Sequence, residues 1–251
     1  MPRLEKTIVL LPVFKPGPHL SELVTALLTE VPEPARVVIV DDGTGSAADD
    51  RLTEIEALGC TVLRLAVNQG KGVALKAGFQ HVRSQFPGSA VVCADGDGQH
   101  SVADIRAVAE RVRPGRIVLG VRCFDRMPPR SRFGNTVTQA VFRAATGRTV
   151  TDTQTGLRAY PADLIGRLCE VPGERFEYEM NVLLDAAATG HPIDEVPIPA
   201  TYLGGNAGSH FSGLTDSARI YLPLLRYAVL SRTERGPGPG RSGPRPDTQG
   251  R

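Results

Sequence analysis

The sequence predicts an α/β fold: a mostly parallel central sheet flanked by helices on both faces. Short apolar runs rich in β-branched residues alternate with stretches whose apolar residues recur at helical spacing. That alternation implies parallel strands joined by crossover helices. Two of the runs, Val37 to Val40 and Ala90 to Ala94, are apolar throughout, as strands buried on both faces are, and each leads into aspartate and glycine. The 251 residues, 41% of them hydrophobic, fit one large α/β domain or two small ones.

Thr7 to Phe14 reads as the first strand, followed by a loop at Lys15-Pro16-Gly17-Pro18. Leu20, Leu23, Ala26 and Leu27 form a helical stripe over Ser21 to Thr29, which Pro32 and Pro34 end. Arg36 to Val40 is a central parallel strand running into Asp41-Asp42-Gly43-Thr44-Gly45. A helix over residues 47–58 and a strand over Thr61 to Val67 follow. Asn68-Gln69-Gly70-Lys71-Gly72 then opens a helix reaching about Ser84. This is no P-loop, because the glycine spacing is absent and Gly72 stands where the hydroxyl belongs. Lys71 is either an anion-binding lysine at a helix start or an exposed one. The strand at Ala90 to Ala94, a helix over Ser101 to Val112 and a strand at Arg116 to Val121 complete the first half.

The second half opens with Arg122, Arg126, Arg130 and Arg132 around Pro128 and Pro129, then a helix over Ser131 to Thr146. Asp152 to Arg158 reads as a polar loop or edge strand. Arg175 to Thr189 is a helix whose Phe176, Met180, Leu183, Leu184 and Ala187 face the core. Ile193 to Ile198 is a strand, with Pro197 placing it near an edge. Glycines over 204–208 predict a mobile loop before Ser209-His210-Phe211. Ile220 to Leu230 is either a packing helix or an interfacial one, and composition makes 231–251 a disordered basic tail. The expected organisation is one domain over 1–230, divided near 121 and 122 into two halves of different character.

Charge narrows the function. Net charge is +2, but from Ser231 onward five arginines oppose Glu234 and Asp247, so that segment carries +3 and the rest −1. A near-neutral folded part gives no reason to expect nucleic acid. Cys60, Cys93, Cys123 and Cys169 have no paired spacing, which points to reduced thiols in the cytoplasm rather than zinc or disulfides. No signal peptide and no apolar run of membrane-spanning length is present in the sequence.

The chemistry concentrates at Asp95-Gly96-Asp97-Gly98-Gln99-His100, where the fourth strand ends. In open α/β sheets, ligands bind beyond the carboxyl ends of the strands. Alternation along an extended chain points Asp95, Asp97 and Gln99 the same way. Three oxygen donors suit a hard cation, Mg²⁺ or Mn²⁺, which completes its shell with substrate phosphates.

These motifs, taken in order, resemble family 2 GT-A glycosyltransferases, especially the dolichol- and polyprenol-phosphate mannose or glucose synthases. The matching segments are Pro12-Val13-Phe14, Val40-Asp41-Asp42-Gly43, Asn68 to Gly72, Asp95 to His100, Ser131 to Asn135, Asp152 to Arg158, Phe176 to Met180 and Ser209-His210-Phe211. The resemblance implies a Rossmann-like GT-A fold, a GDP- or UDP-hexose donor, Mg²⁺ or Mn²⁺, and an inverting transfer to a polyprenyl phosphate. It implies that Pro12, Val13, Phe14 and Asp42 line the nucleotide pocket, with Lys71 and Gly96 beside the donor. Asp95, Asp97 and Gln99 would hold the metal, and Asp97, Arg122 and Arg132 would serve catalysis by carrying or neutralising diphosphate charge. An acceptor that is already a phosphate needs no general base; an alcohol needs one, and Glu177, Glu179 or Asp152 would then be the candidates. Lys15-Pro16 departs from the family's usual Asn-Glu, and Ser212 from a frequent arginine. Two alternatives remain: the same fold acting on a soluble small-molecule acceptor, and a non-catalytic sugar-nucleotide-binding subunit. Peripheral attachment at the inner face of the membrane accompanies the lipid reading.

Overall fold

The structure, a computed structural model, describes residues 7–30, 33, 36–45, 49–122 and 129–199. The expectations for residues 204–211, Ser212, the segment 220–230, the tail, Cys123 and Arg126 lie outside the described residues.

The first half follows the predicted order: β1 (Thr7–Val13), α1 (His19–Leu28), β2 (Val37–Asp41), α2 (Asp49–Ala57), β3 (Thr61–Arg64), α3 (Lys71–Gln85), β4 (Ala90–Cys93), α4 (Val102–Ala109) and β5 (Ile117–Arg122). The second half adds α5 (Pro129–Thr146), β6 (Arg158–Tyr160), α6 (Ala162–Glu170), α7 (Glu177–Thr189) and β7 (Ile193–Ile198). All seven strands join one sheet in the order β3-β2-β1-β4-β6-β5-β7. Only the pairings of β6 with β4 and β5 are antiparallel, so the sheet is mostly parallel.

Period-two alternation builds two cores. Ile8 and Leu10 of β1 join Leu75 and Phe79 of α3, Leu164 of α6 and Leu183 of α7 on one face. Val9, Leu11 and Val13 join Leu23 of α1, Ile55 of α2 and Ile105 of α4 on the other. Helices therefore cover both faces, as predicted. β7 lies at an edge and carries Pro197, also as predicted.

Three expectations need correction. Residues 152–157 form a loop, one of the two expectations, but the strand that Arg158 opens is no edge: β6 lies inside the sheet, and Arg158 is buried there at 1% exposure. The three residues of β6 are too few to show a period, and the buried charge disguised them as surface. Helix α6 was not anticipated, although Leu164, Ile165 and Leu168 form its buried stripe after Pro161. β3 stops at Arg64 rather than Val67.

The strand order reverses between β1 and β4: β2 and β3 lie on one side of β1, and β4 on the other. A crevice outside the carboxyl ends of strands at such a switch point is where ligands bind in open α/β sheets.

Candidate active site

The carboxyl ends of β1 and β4 meet at that crevice. The space beside Gly96 is filled by Val13 Cγ1 and Leu20 Cδ1, at 2.8 and 3.2 Å from where a Cβ would stand. The acidic turn after β4 therefore sits on the end of β1, beside half-buried Pro12 and Phe14. Strand alternation does not extend into this turn, because β4 ends at Cys93. A turn gathers the donors instead. Asp97 Oδ1 accepts from the Gln99 backbone at 3.0 Å, and Asp97 Oδ2 accepts from Gln99 Nε2 at 2.7 Å. The capping box of Ser101 and Asp104 then starts α4.

Lys71 is not an exposed lysine. Its side chain is 14% exposed, and Nζ lies 2.7 Å from Asp95 Oδ1 and 2.9 Å from Glu179 Oε2. Burial works against the ammonium, but Asp95 and Glu179 outweigh it and hold its pKa above the ordinary lysine value. Burial likewise works against the Asp95 carboxylate, yet Lys71, His100 and Arg122 keep its pKa below the usual value. Burial and the neighbouring Asp95 charge push Asp97 upward. His100 is 5% exposed, and among the described residues its Nδ1 has no hydrogen-bond partner.

The loop that leads into the lysine is held by Asp42. Its carboxylate accepts from the backbone N–H of Gln69 and of Gly70, each at 2.7 Å, and from Asn68 Nδ2 at 2.9 Å. Burial pushes its pKa up. Gly70 has φ +109°, and a Cβ there would collide with Arg175 and the Glu174 carbonyl, so the tight start of α3 requires glycine. Asp41 instead accepts from the backbone and hydroxyl of Thr44. Asp42, which the resemblance assigns to the nucleotide pocket, and its neighbour Asp41 thus spend hydrogen bonds on shaping the loops around the crevice.

The second half supplies the arginines. Arg122, at the end of β5, grips the fully buried Asp152 with Nε at 2.7 Å and Nη2 at 3.1 Å. Arg132 lies exposed on α5. The buried Arg158 donates to the carbonyls of Thr155 (2.8 Å), Thr153 (3.2 Å) and Glu179 (2.6 Å), and its Nε is 3.7 Å from Glu179 Oε1. Glu177 Oε1 accepts from the backbone N–H groups of Glu174 and Arg175, fastening the start of α7. Asn135 of α5 accepts from both the N–H and the hydroxyl of Thr153, tying that helix to the 152–157 loop. Sequence reading did not find the link from Lys71 to Glu179, or Asn135, because such pairings join distant segments. An arginine between Leu157 and Ala159 was the visible sign that Arg158 needs buried partners.

The turn fits a divalent cation. Two crowded acidic groups, one with its proton affinity raised by the other, offer hard oxygen donors together with the Gln99 amide. Among the described residues, no group of three or more His, Cys, Asp or Glu is arranged to hold a metal, and the Gln99 amide oxygen would be the third donor beside the two carboxylates.

The model of the family described as Glycosyl transferase family 2 matches residues 8–161. The undecaprenyl-phosphate mannosyltransferase of Micrococcus luteus is 28% identical over 243 residues, covering 91% of this chain and 96% of that protein. Glucosyl-3-phosphoglycerate synthase of Mycobacterium tuberculosis, solved with Mn²⁺, UDP-glucose and phosphoglyceric acid, aligns at TM-score 0.68 and 17% identity over 90% of this chain and 80% of that one. A mannosyltransferase from Pyrobaculum calidifontis, solved with GDP-Man and Mn²⁺, aligns at TM-score 0.57 and 18% identity, covering 93% and 66%. At that distance the two structures speak for the fold alone.

Proposed function

This chain belongs to glycosyl transferase family 2 and is a GT-A glycosyltransferase; on that premise we propose that it moves a hexose of mannose or glucose type from a GDP- or UDP-hexose to a polyprenyl phosphate, with inversion and with Mg²⁺ or Mn²⁺. One observation carries the choice of acceptor. Each carboxylate that could serve an alcohol as general base is already committed. Asp152 is clasped by Arg122, Glu179 lies beside Lys71 and Arg158, and Glu177 fastens the start of α7. An acceptor that arrives as an anion needs none of them. The mannosyltransferase relative, whose name carries undecaprenyl phosphate, supports the same choice along nearly its whole length.

In this reading Pro12, Val13 and Phe14 wall the nucleotide crevice beside Gly96, and Asp42 holds the 68–70 loop against it. Asp95, Asp97 and Gln99 hold the cation, which when bound carries charge of the departing diphosphate. Arg122 and Arg132 add fixed positive charge near the same leaving group, and arginine's planar fork suits phosphate oxygens. No described helix is long and apolar enough to cross a membrane. A lipid acceptor therefore calls for peripheral association of this part of the chain with the inner membrane face. A second reading, a soluble acceptor, draws on the glucosyl-3-phosphoglycerate synthase solved with phosphoglyceric acid, a small anion.

The test uses radiolabelled GDP-mannose, UDP-glucose and their GDP/UDP counterparts with undecaprenyl phosphate and Mn²⁺ or Mg²⁺. Label is expected to enter the organic phase with at least one donor and to stay aqueous after chelation. Label that stays aqueous with every donor overturns the proposal.

A further inference from the structure

Behind the acidic turn runs a row of alternating charge, from the buried Arg158 through Glu179 and Lys71 to the half-buried Asp95. Nε of Arg158 is 3.7 Å from Glu179 Oε1, Lys71 Nζ is 2.9 Å from Glu179 Oε2, and Lys71 Nζ is 2.7 Å from Asp95 Oδ1. Four different elements or their ends contribute: β6, α7, α3 and the turn after β4. Lys71 is shared between two carboxylates, and only one of them belongs to the metal-binding turn.

We infer that Lys71 is a resident counter-cation for Asp95, that it passes from Asp95 to the donor diphosphate when a divalent ion takes the carboxylate, and that Glu179 is the positioning residue that makes this exchange possible. The inference rests on the proposed donor and cation but not on the acceptor. A half-buried carboxylate without a counter-charge is costly, so a site waiting for a metal gains from a cation of its own. That cation must also yield, or it competes with the metal. Glu179 supplies a second carboxylate on which the ammonium stays anchored once Asp95 is taken. Arg158 holds Glu179 in turn, and its three bonds to backbone carbonyls fix the far end of the row. Lys71 sits on the first residue of α3, so an ammonium freed from Asp95 stays at the crevice, beside the position of the diphosphate.

Two variants have opposed consequences. Lys71→Met removes the competitor, so Mn²⁺ alone is expected to bind at least threefold more tightly, while UDP or GDP in the presence of Mn²⁺ binds at least tenfold more weakly. Glu179→Gln leaves the ammonium with one carboxylate, so it clings to Asp95. Mn²⁺ alone is then expected to bind at least threefold more weakly, and in turnover the Mn²⁺ concentration giving half-maximal rate rises by a similar factor. Mn²⁺ affinity is read by electron paramagnetic resonance of the free ion, and nucleotide affinity by calorimetry. Damage to the fold would weaken Mn²⁺ binding in both variants alike, and that result overturns the inference. Should Lys71→Met fail to fold, Glu179→Gln decides by itself: weaker Mn²⁺ binding with the circular dichroism of the wild-type fold retained supports the exchange, and unchanged or tighter binding refutes it. Transfer to lipid by a wild-type chain whose variants show no opposed shift overturns this inference and leaves the proposed function standing. The opposed shift without transfer to any lipid phosphate does the reverse.

Discussion

Gly156 fixes the orientation of Asp95. A Cβ at that position would overlap the Asp95 carboxylate, so the 152–157 loop acts as a stop against which the aspartate rests. Gly156→Ala should therefore turn Asp95 away from the cation and lower kcat/KM by about 100-fold, the scale of a 1 Å misplacement in an active site. Steady-state kinetics with circular dichroism on the same sample separates this from unfolding. Asp97→Asn keeps size and the Gln99 bond to one oxygen but removes a charge, and should cost roughly 100- to 1,000-fold in kcat with the fold intact. Asp152→Asn strips the buried partner of Arg122 and should lower stability by on the order of 3 kcal/mol in urea denaturation. The turn of Asp95, Asp97 and Gln99 was legible in the sequence because one short stretch carries all three. Arg158 and Glu179 stand in segments the sequence singles out, but their pairing and the Lys71 contact were not legible, since they depend on which distant segment lies against them.

At the scale of elements, legibility followed burial and length. β1, β2, β4 and β5 are nearly wholly buried, and each announces itself as an apolar run. β6 has only Arg158, Ala159 and Tyr160, and its charge is accommodated by carbonyls and a carboxylate from elsewhere in the fold. Because Ala159 is paired with both Val92 and Val118, proline there removes ladder bonding inside the sheet. Ala159→Pro should destabilise by about 3 kcal/mol or more, seen as a lowered denaturation midpoint. α4 was anticipated from Ile105, Val108 and Ala109, but its start is set by the reciprocal bonds of Ser101 and Asp104. Losing that cap in Ser101→Ala should cost about 1 kcal/mol, and it should loosen the turn that carries Asp97 and Gln99.

For the whole molecule, the two cores lie on opposite faces of the sheet, and the crevice opens where the strand order reverses. Alternation of strands and helices made that architecture readable. The sheet's antiparallel insertion of β6 was hidden, because chain order does not reveal which strand slips between two others. The burial of the cores also governs the thiols. Burial pushes Cys60 up to about 11 and raises Cys93 further, so both should resist maleimide at mildly alkaline pH until denaturant is added. The sheet also gathers Asp152, Glu177 and Glu179 from separate segments and gives each a partner, and the proposed anionic acceptor follows from that arrangement. The decisive measurement offers the enzyme one labelled nucleotide hexose and, side by side, a polyprenyl phosphate and the polyprenyl alcohol of the same chain length. The account predicts that sugar passes to the phosphate and not to the alcohol; transfer to the alcohol with the phosphate left untouched would contradict it.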